Sequence, residues 1–119
     1  MTIFRSVLLF RVLLALALIF AVTMALVPHP PHIPGNPIDK VQHMTAFATL
    51  ALLAALAFPL MPLGRIGERL SFIGALIEVL QAIPALHRDC DIMDWIADTA
   101  AIAIVLVIVA LVRRRRAAI

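Results

Sequence analysis

The hydrophobic residues of this chain fall into four long runs that are separated by short polar or proline-containing stretches. The runs predict helices over residues 6–27, 38–60, 66–84 and 91–112, because a helix needs about 20 apolar residues to cross a bilayer. Proline marks each boundary: VPHPPHIPGNP follows the first run, FPLMPLG the second and IPAL the third. The pattern predicts an all-α membrane protein, a four-transmembrane-helix bundle, with residues 1–119 as a single domain.

The composition agrees with a membrane protein and argues against a nucleic-acid-binding one. Hydrophobic residues make up 64% of the 119 positions and charged residues 14%, whereas soluble domains are about half apolar and about a quarter charged. The basic residues flank the apolar runs, and the chain has no Tyr and one Trp that could stack on bases. Cys90 is the single cysteine, which excludes an internal disulfide.

The first apolar run has two interpretations. Arg5 and Arg11 precede a stretch with small residues, which is also the pattern of a secretory signal peptide. The apolar part is longer than a usual signal core, however, and VTMA is a poor cleavage site. We therefore expect a retained helix.

Basic residues are distributed unevenly between the two ends of the predicted bundle. One end holds Arg5, Arg11, Arg65, Arg69 and the run 113–116, and the other holds Lys40 and Arg88. Because positive charge favours the cytoplasmic side, we expect both termini to be cytoplasmic. We then expect the arginine run 113–116 to be a stop-transfer anchor that also contacts anionic lipid.

Most of the remaining polar residues lie in the outer half of the predicted bundle. His43, Glu78 and Asp98 are each about 10 Å below the outer end of their helix, at about 1.5 Å per residue. Ionisable groups at such a depth are costly and suggest a functional site. We expect an outward-facing polar pocket with Lys40 and Arg88 at its rim. The predicted ligand-binding residues are Asp39, Lys40, His43, Glu78, Gln81, Arg88, Asp91, Asp94 and Asp98.

Four short motifs in this region resemble those of the VanZ-like membrane proteins. DKVQH at 39–43, EVLQ at 78–81, Arg88 and DIMDWIAD at 91–98 are similar to the D-K-x-x-H, E-x-x-Q, Arg and D-x-x-x-[ND] elements of that family, in the same order. The resemblance covers residues from about 36 to 112. It implies a protein of the bacterial inner membrane and a link to teicoplanin resistance; from the charge distribution, the pocket of this multi-pass protein is expected to face the periplasm or exterior. The resemblance brings no established reaction.

Three functions are compatible with such a pocket. We expect recognition of an anionic envelope lipid or cell-wall precursor, because Lys40 and Arg88 could hold a phosphate. An enzyme acting on a lipid-linked phosphate would draw its catalytic groups from His43, Glu78 and Asp98. A structural membrane subunit would use the same side chains to fix helix register.

The partner predictions follow from these hypotheses. Membrane lipids and a lipid-linked envelope precursor are the expected partners, with no nucleic acid and no cofactor. Whether the carboxylates hold a metal ion, and whether the chain forms a homo-oligomer, are left open.

Overall fold

The computed structural model describes residues 2–27, 37–83 and 92–118, with side chains from residue 4 in the first range and from residue 40 in the second. In these ranges the chain forms four α-helices. They are α1 (Thr2–Leu26), α2 (Pro37–Ala57), α3 (Leu63–Gln81) and α4 (Ile92–Ala117). The predicted all-helical fold is therefore present.

Three of the described helices are long and apolar enough to cross a membrane. The qualifying stretches are Phe4–Leu26, Lys40–Ala57 and Ile92–Ala117. Helix α3 has 19 residues and is more polar, because it contains Arg65, Glu68, Arg69 and Glu78. The predicted fourth span remains a prediction for that reason.

The helices are arranged with alternating direction. We call the end where α1 and α3 finish and α2 and α4 begin the upper end, and the opposite end the lower end. Gln81 near the end of α3 bonds Ala25 near the end of α1, so these two helices run in the same direction. Contacts at both ends likewise join α2 to α4. Helix α2 packs against all three other helices and is the centre of the bundle.

Small side chains allow the other helices to approach α2 closely. Ala51, Ala55 and Ala57 are fully buried, and Phe47 and Leu50 on the same helix are 4% and 2% exposed. In an apolar solvent, helices associate through close van der Waals contact rather than through the hydrophobic effect, and small residues favour this. The alanine-rich sequence of α2 therefore accounts for its central position.

The outer faces of α1 and α4 carry large apolar side chains. Phe4, Leu16 and Phe20 on α1 and Ile104 and Ile108 on α4 are all more than half exposed. Contiguous apolar surface of this kind is rare on soluble monomers, whereas it is the expected surface of a helix in lipid.

Pro59 leaves one carbonyl of α2 without its usual donor. The carbonyl of Ala55 would normally accept a hydrogen bond from the N–H of residue 59, but proline has none. Arg113 of α4 supplies the donor instead, with 2.8 Å between its Nη2 and the Ala55 oxygen. This bond fixes the lower end of α4 against α2.

A second arginine binds the last turn of α2 from the other side. Arg11 of α1 donates from Nε to the Ala57 oxygen at 2.9 Å, and its guanidinium lies 4.6 Å from the centre of the Phe58 ring. Cations at a helix C-terminus also interact favourably with the helix dipole. Arg11 and Arg113 thus have packing roles in addition to the orientation role predicted from charge.

The helix boundaries differ from the predicted ones at several ends. Helix α1 begins at Thr2 rather than at residue 6, and α3 spans Leu63–Gln81 rather than residues 66–84. Helix α2 ends at Ala57 rather than at residue 60, since Pro59 cannot continue the backbone hydrogen bonds. Helix α4 continues to Ala117 rather than ending at residue 112, so the arginine run is helical.

We predict that Arg113→Ala lowers the free energy of unfolding by about 1–3 kcal/mol, because it leaves the buried Ala55 carbonyl without a donor. The measurement is the loss of helical circular dichroism in detergent with rising temperature or denaturant. Arg115→Ala, at an exposed position of the same run, is the control and should change stability by less than about 0.5 kcal/mol. When Pro59→Ala is added to Arg113→Ala, it restores a backbone N–H for the Ala55 carbonyl and should recover part of the lost free energy of unfolding. Equal effects of Arg113→Ala and Arg115→Ala would contradict this role.

Candidate functional site

The upper half of the bundle contains the buried polar side chains of the described residues. Glu78 is 6% exposed, Gln81 2% and Asp98 3%. The Oδ1 atom of Asp98 is inaccessible to solvent. Burying such groups is costly unless they have partners, and both Glu78 and Asp98 have an interaction partner within the chain. These predicted site residues therefore face the bundle interior rather than lipid.

Helices α2 and α4 are joined at the upper end by an ion pair. The Lys40 ammonium lies 3.6 Å from Oδ1 of Asp94, and the two side chains are 34% and 18% exposed. This distance is longer than that of a hydrogen bond, and a partly exposed ion pair contributes at most about 1 kcal/mol. Two predicted ligand-binding residues are thus brought together, and Lys40 keeps hydrogen-bonding capacity for a further group.

Close packing around Gly74 sets the register of α3 against its neighbours. A Cβ atom at Gly74 would lie 3.4 Å from both the Phe47 ring of α2 and the Trp95 ring of α4. Glu78 is one helical turn above Gly74, and His43 is one turn above Phe47. Glu78 and His43 are therefore at about the same height in the bundle.

Asp98 lies slightly deeper than the ion pair. It is one turn below Asp94, at the height of Met44 on α2, because Asp94 is at the height of Lys40. His43 and Asp98 are thus within about one turn of each other, or about 5 Å along the bundle axis. On the α3 side, the 2.9 Å contact between the Ser71 and Thr99 hydroxyls puts Asp98 about 9 Å below Glu78. The common depth of His43, Glu78 and Asp98 therefore stays a prediction. His43 is half-buried and also has an interaction partner within the chain.

Gln81 has a structural contact that its sequence context did not reveal. Its Nε2 atom donates to the carbonyl oxygen of Ala25 at 2.9 Å, in a buried environment. Ala25 is in the last turn of α1, where carbonyls have no donor within their own helix. Gln81 therefore joins the upper ends of α1 and α3, and one of its two amide N–H donors is used in this contact.

A polar contact between α3 and α4 was not predicted from the sequence. The hydroxyls of Ser71 and Thr99 are 2.9 Å apart, and the Trp95 indole N–H donates to the Ser71 carbonyl at 2.9 Å. A lone Thr in an apolar helix often bonds a carbonyl of its own preceding turn. Thr45 and Thr49 do so. Thr99 therefore carried no sequence signal for a contact between helices.

Three predicted site residues lie wholly or partly outside the described part of the chain. Arg88 and Asp91 lie outside the described residues. Asp39 belongs to α2, but its side chain is outside the described part. Within residues 2–27, 37–83 and 92–118, no group of three or more His, Cys, Asp and Glu side chains could hold a metal ion.

A cleft opens between α1 and α2 next to these residues, and α3 closes its back. It has a volume of about 610 Å³. Its walls are mainly apolar, with Gln42 and His43 as the polar groups near the upper end. Lys40 and His43 are three residues apart on α2 and so are neighbours on its surface. The cleft therefore begins beside the polar residues of the upper end.

Comparison with protein-family models, with curated proteins and with solved structures gives no match for this chain.

We predict that Gln81→Leu destabilises the protein by about 1–3 kcal/mol, because the buried Ala25 carbonyl loses its donor. Val79→Leu, at a site that is 66% exposed, is the control and should have little effect. Thermal unfolding in detergent measures the difference, and wild-type stability of Gln81→Leu would exclude a structural role for this bond.

Proposed function

We propose that this chain is a small multi-pass protein of the bacterial inner membrane, similar to the VanZ-like proteins, that binds an anionic envelope lipid or cell-wall precursor. The upper end of the bundle faces the periplasm or exterior and holds the phosphate of the ligand. Binding there affects sensitivity to teicoplanin. The ordered motifs DKVQH, EVLQ, Arg88 and DIMDWIAD support the family assignment, and the uneven distribution of basic residues supports the orientation.

The state of Lys40 is the observation that carries this proposal. Its side chain is one-third exposed, and its ammonium is 3.6 Å from Asp94, too far for a hydrogen bond. An ammonium has three donors, so a phosphate oxygen can approach Lys40 without first breaking a strong bond. Arg88, ten residues after Glu78 in the sequence, is the second cation of the proposed phosphate site.

Burial divides the predicted ligand-binding residues into two groups. Glu78, Gln81 and Asp98 are almost completely covered, which fits them to hold the helices around the site. Lys40 and Asp94 are partly exposed and can touch a head group directly. The Lys40 ammonium is a donor and the Asp94 carboxylate beside it is an acceptor. A head group that has hydroxyl or amine donors as well as a phosphate would therefore fit this pair.

We further propose that α3 is the fourth membrane span, which places both termini in the cytoplasm. Its 19 residues extend over about 28 Å, close to the hydrocarbon thickness of about 30 Å. Arg65, Glu68 and Arg69 are all near its lower end, where head groups and water can solvate them. Glu78 is in the upper half and is shielded by the neighbouring helices.

Labelling of single cysteines tests this topology. Cys90 is the natural single cysteine and follows α3, so a membrane-impermeant maleimide should label it in intact spheroplasts. Gly64→Cys in a Cys90→Ser background places the thiol near the start of α3, at a position with open space. We expect it to be labelled only after permeabilisation. Labelling of Cys90 only after permeabilisation, or of Gly64→Cys before it, would contradict the proposed topology.

Removal of the Lys40 charge tests the phosphate site. We predict that Lys40→Gln loses the preference of the purified protein for phosphatidylglycerol over phosphatidylcholine, measured as retained lipid by native mass spectrometry. Lys40→Arg keeps the charge and should keep the preference. Arg69→Gln removes an exposed cation at the lower end and is the control for charge in general. Teicoplanin sensitivity should change in cells that express Lys40→Gln and remain unchanged with Lys40→Arg.

A structural membrane subunit is the second candidate, and a specific observation favours it. Gln81, Ser71 and Trp95 all use their polar atoms for contacts between helices, as expected of residues that fix register. If Lys40→Gln retains the lipid preference and leaves teicoplanin sensitivity unchanged at normal expression, this second function replaces the first.

A further inference from the structure

The cleft between α1 and α2 has a buried floor and an exposed rim. The floor is formed by Phe47, Leu50 and Ile77, which are 6% exposed or less. Phe20 and Met24 on the rim are 67% and 47% exposed. The cleft thus extends from the apolar outer surface of the bundle into its core.

Small side chains keep this space open. Ala17 and Ala21 line the cleft from α1, and Ala46 lines it from α2. The Arg11 bond to Ala57 joins α1 to α2 at the lower end, and the Gln81 bond to Ala25 joins α1 to α3 at the upper end. Helix α1 is therefore held on both sides of the cleft.

Polarity changes along the length of the cleft. Gln42 and His43 line its upper end, whereas Ala17, Leu18 and Leu50 line its lower end. Thr49 also lines the lower part, but its hydroxyl donates to the Thr45 carbonyl and so is already satisfied. A molecule that fits this gradient has a polar group at one end and hydrocarbon below it.

The position of the cleft favours lipid hydrocarbon as its occupant. Its walls extend over residues 17–25 of α1 and 42–50 of α2, or about 12 Å at 1.5 Å per residue. Its volume of about 610 Å³ is within the range of small-molecule sites. Phe20 and Met24 at its rim belong to the exposed apolar face of α1, so the cleft opens onto the surface that a bilayer would cover.

We propose that the cleft binds one hydrocarbon chain of a membrane lipid, which enters from the bilayer between α1 and α2. The chain lies against the partly exposed Ala17, Ala21 and Ala46, and the polar group next to it meets the exposed amide of Gln42. This inference rests on the proposed function, because the same lipid then presents its phosphate to Lys40, which adjoins His43 on α2.

A groove between α3 and α4 offers a matched comparison. It has about 720 Å³ and is also mainly apolar. Its polar groups in the upper half, Ser71, Thr99 and the Trp95 indole N–H, bond to one another, and Glu68 is near its lower end. It lacks an exposed amide at its upper end of the kind that Gln42 gives the α1–α2 cleft. We therefore use it as the control surface.

The test uses a phosphatidylglycerol with a diazirine in its acyl chain, reconstituted with the full chain into nanodiscs. After illumination, peptide mass spectrometry should locate crosslinks on residues 17–25 and 42–50. Ala46→Phe fills the cleft and should remove most of these crosslinks. Ala103→Phe, in the α3–α4 groove, makes the same change elsewhere and should leave them unchanged. Helical circular dichroism confirms that both variants are folded.

The outcomes separate this inference from the proposed function. Wild-type crosslinks that are spread evenly over all four helices, or that persist in folded Ala46→Phe, overturn the chain site. The wild-type pattern decides the question even if Ala46→Phe does not fold. Crosslinks in the cleft that are equally strong with a diazirine phosphatidylcholine, and equally strong in Lys40→Gln, support the chain site and overturn the anionic ligand. If Lys40→Gln loses the preference for phosphatidylglycerol over phosphatidylcholine while the crosslinked residues stay the same, the result supports both the chain site and the anionic ligand.

Discussion

In apolar surroundings, every backbone carbonyl that its own helix leaves without a donor must find one elsewhere in the protein. The most informative contacts of this structure satisfy that constraint. Arg113 donates to the Ala55 carbonyl, which Pro59 leaves without a backbone donor. Arg11 donates to a carbonyl in the last turn of α2, and Gln81 donates to one in the last turn of α1. Each donor comes from a different helix than its acceptor. The bonds that satisfy the helix ends therefore also position α1, α3 and α4 around the alanine-rich α2.

The same constraint divides the polar residues by role. Gln81, Trp95, Ser71 and Thr99 are used in contacts between helices. Lys40 differs, because its contact with Asp94 is long and its side chain is partly open. A ligand site needs such partly satisfied groups at the edge of a well-fixed frame. This contrast is why we base the proposed function on Lys40 and not on the more deeply buried acids.

The periodicity of apolar residues was sufficient to predict the helices, and the depth of the polar residues was sufficient to predict inward-facing Glu78 and Asp98. The bond between Gln81 and Ala25 could not be predicted, because it joins residues 56 positions apart and depends on how α1 and α3 pack. The role of Arg113 had a sequence signal in Pro59, but only the fold shows which donor reaches the carbonyl. Family, ligand, topology and the roles of Arg88 and Asp91 stay predictions, since the described contacts do not involve them.

An experimental structure of the protein in nanodiscs of phosphatidylglycerol tests the central claim most directly. We predict lipid density with its phosphate within hydrogen-bonding distance of the Lys40 ammonium, and with one acyl chain lying against Ala21 and Ala46 between α1 and α2. The Lys40 and Asp94 side chains should remain at the upper end of the bundle. A cleft without lipid density, together with a Lys40 that contacts only Asp94, would contradict the account.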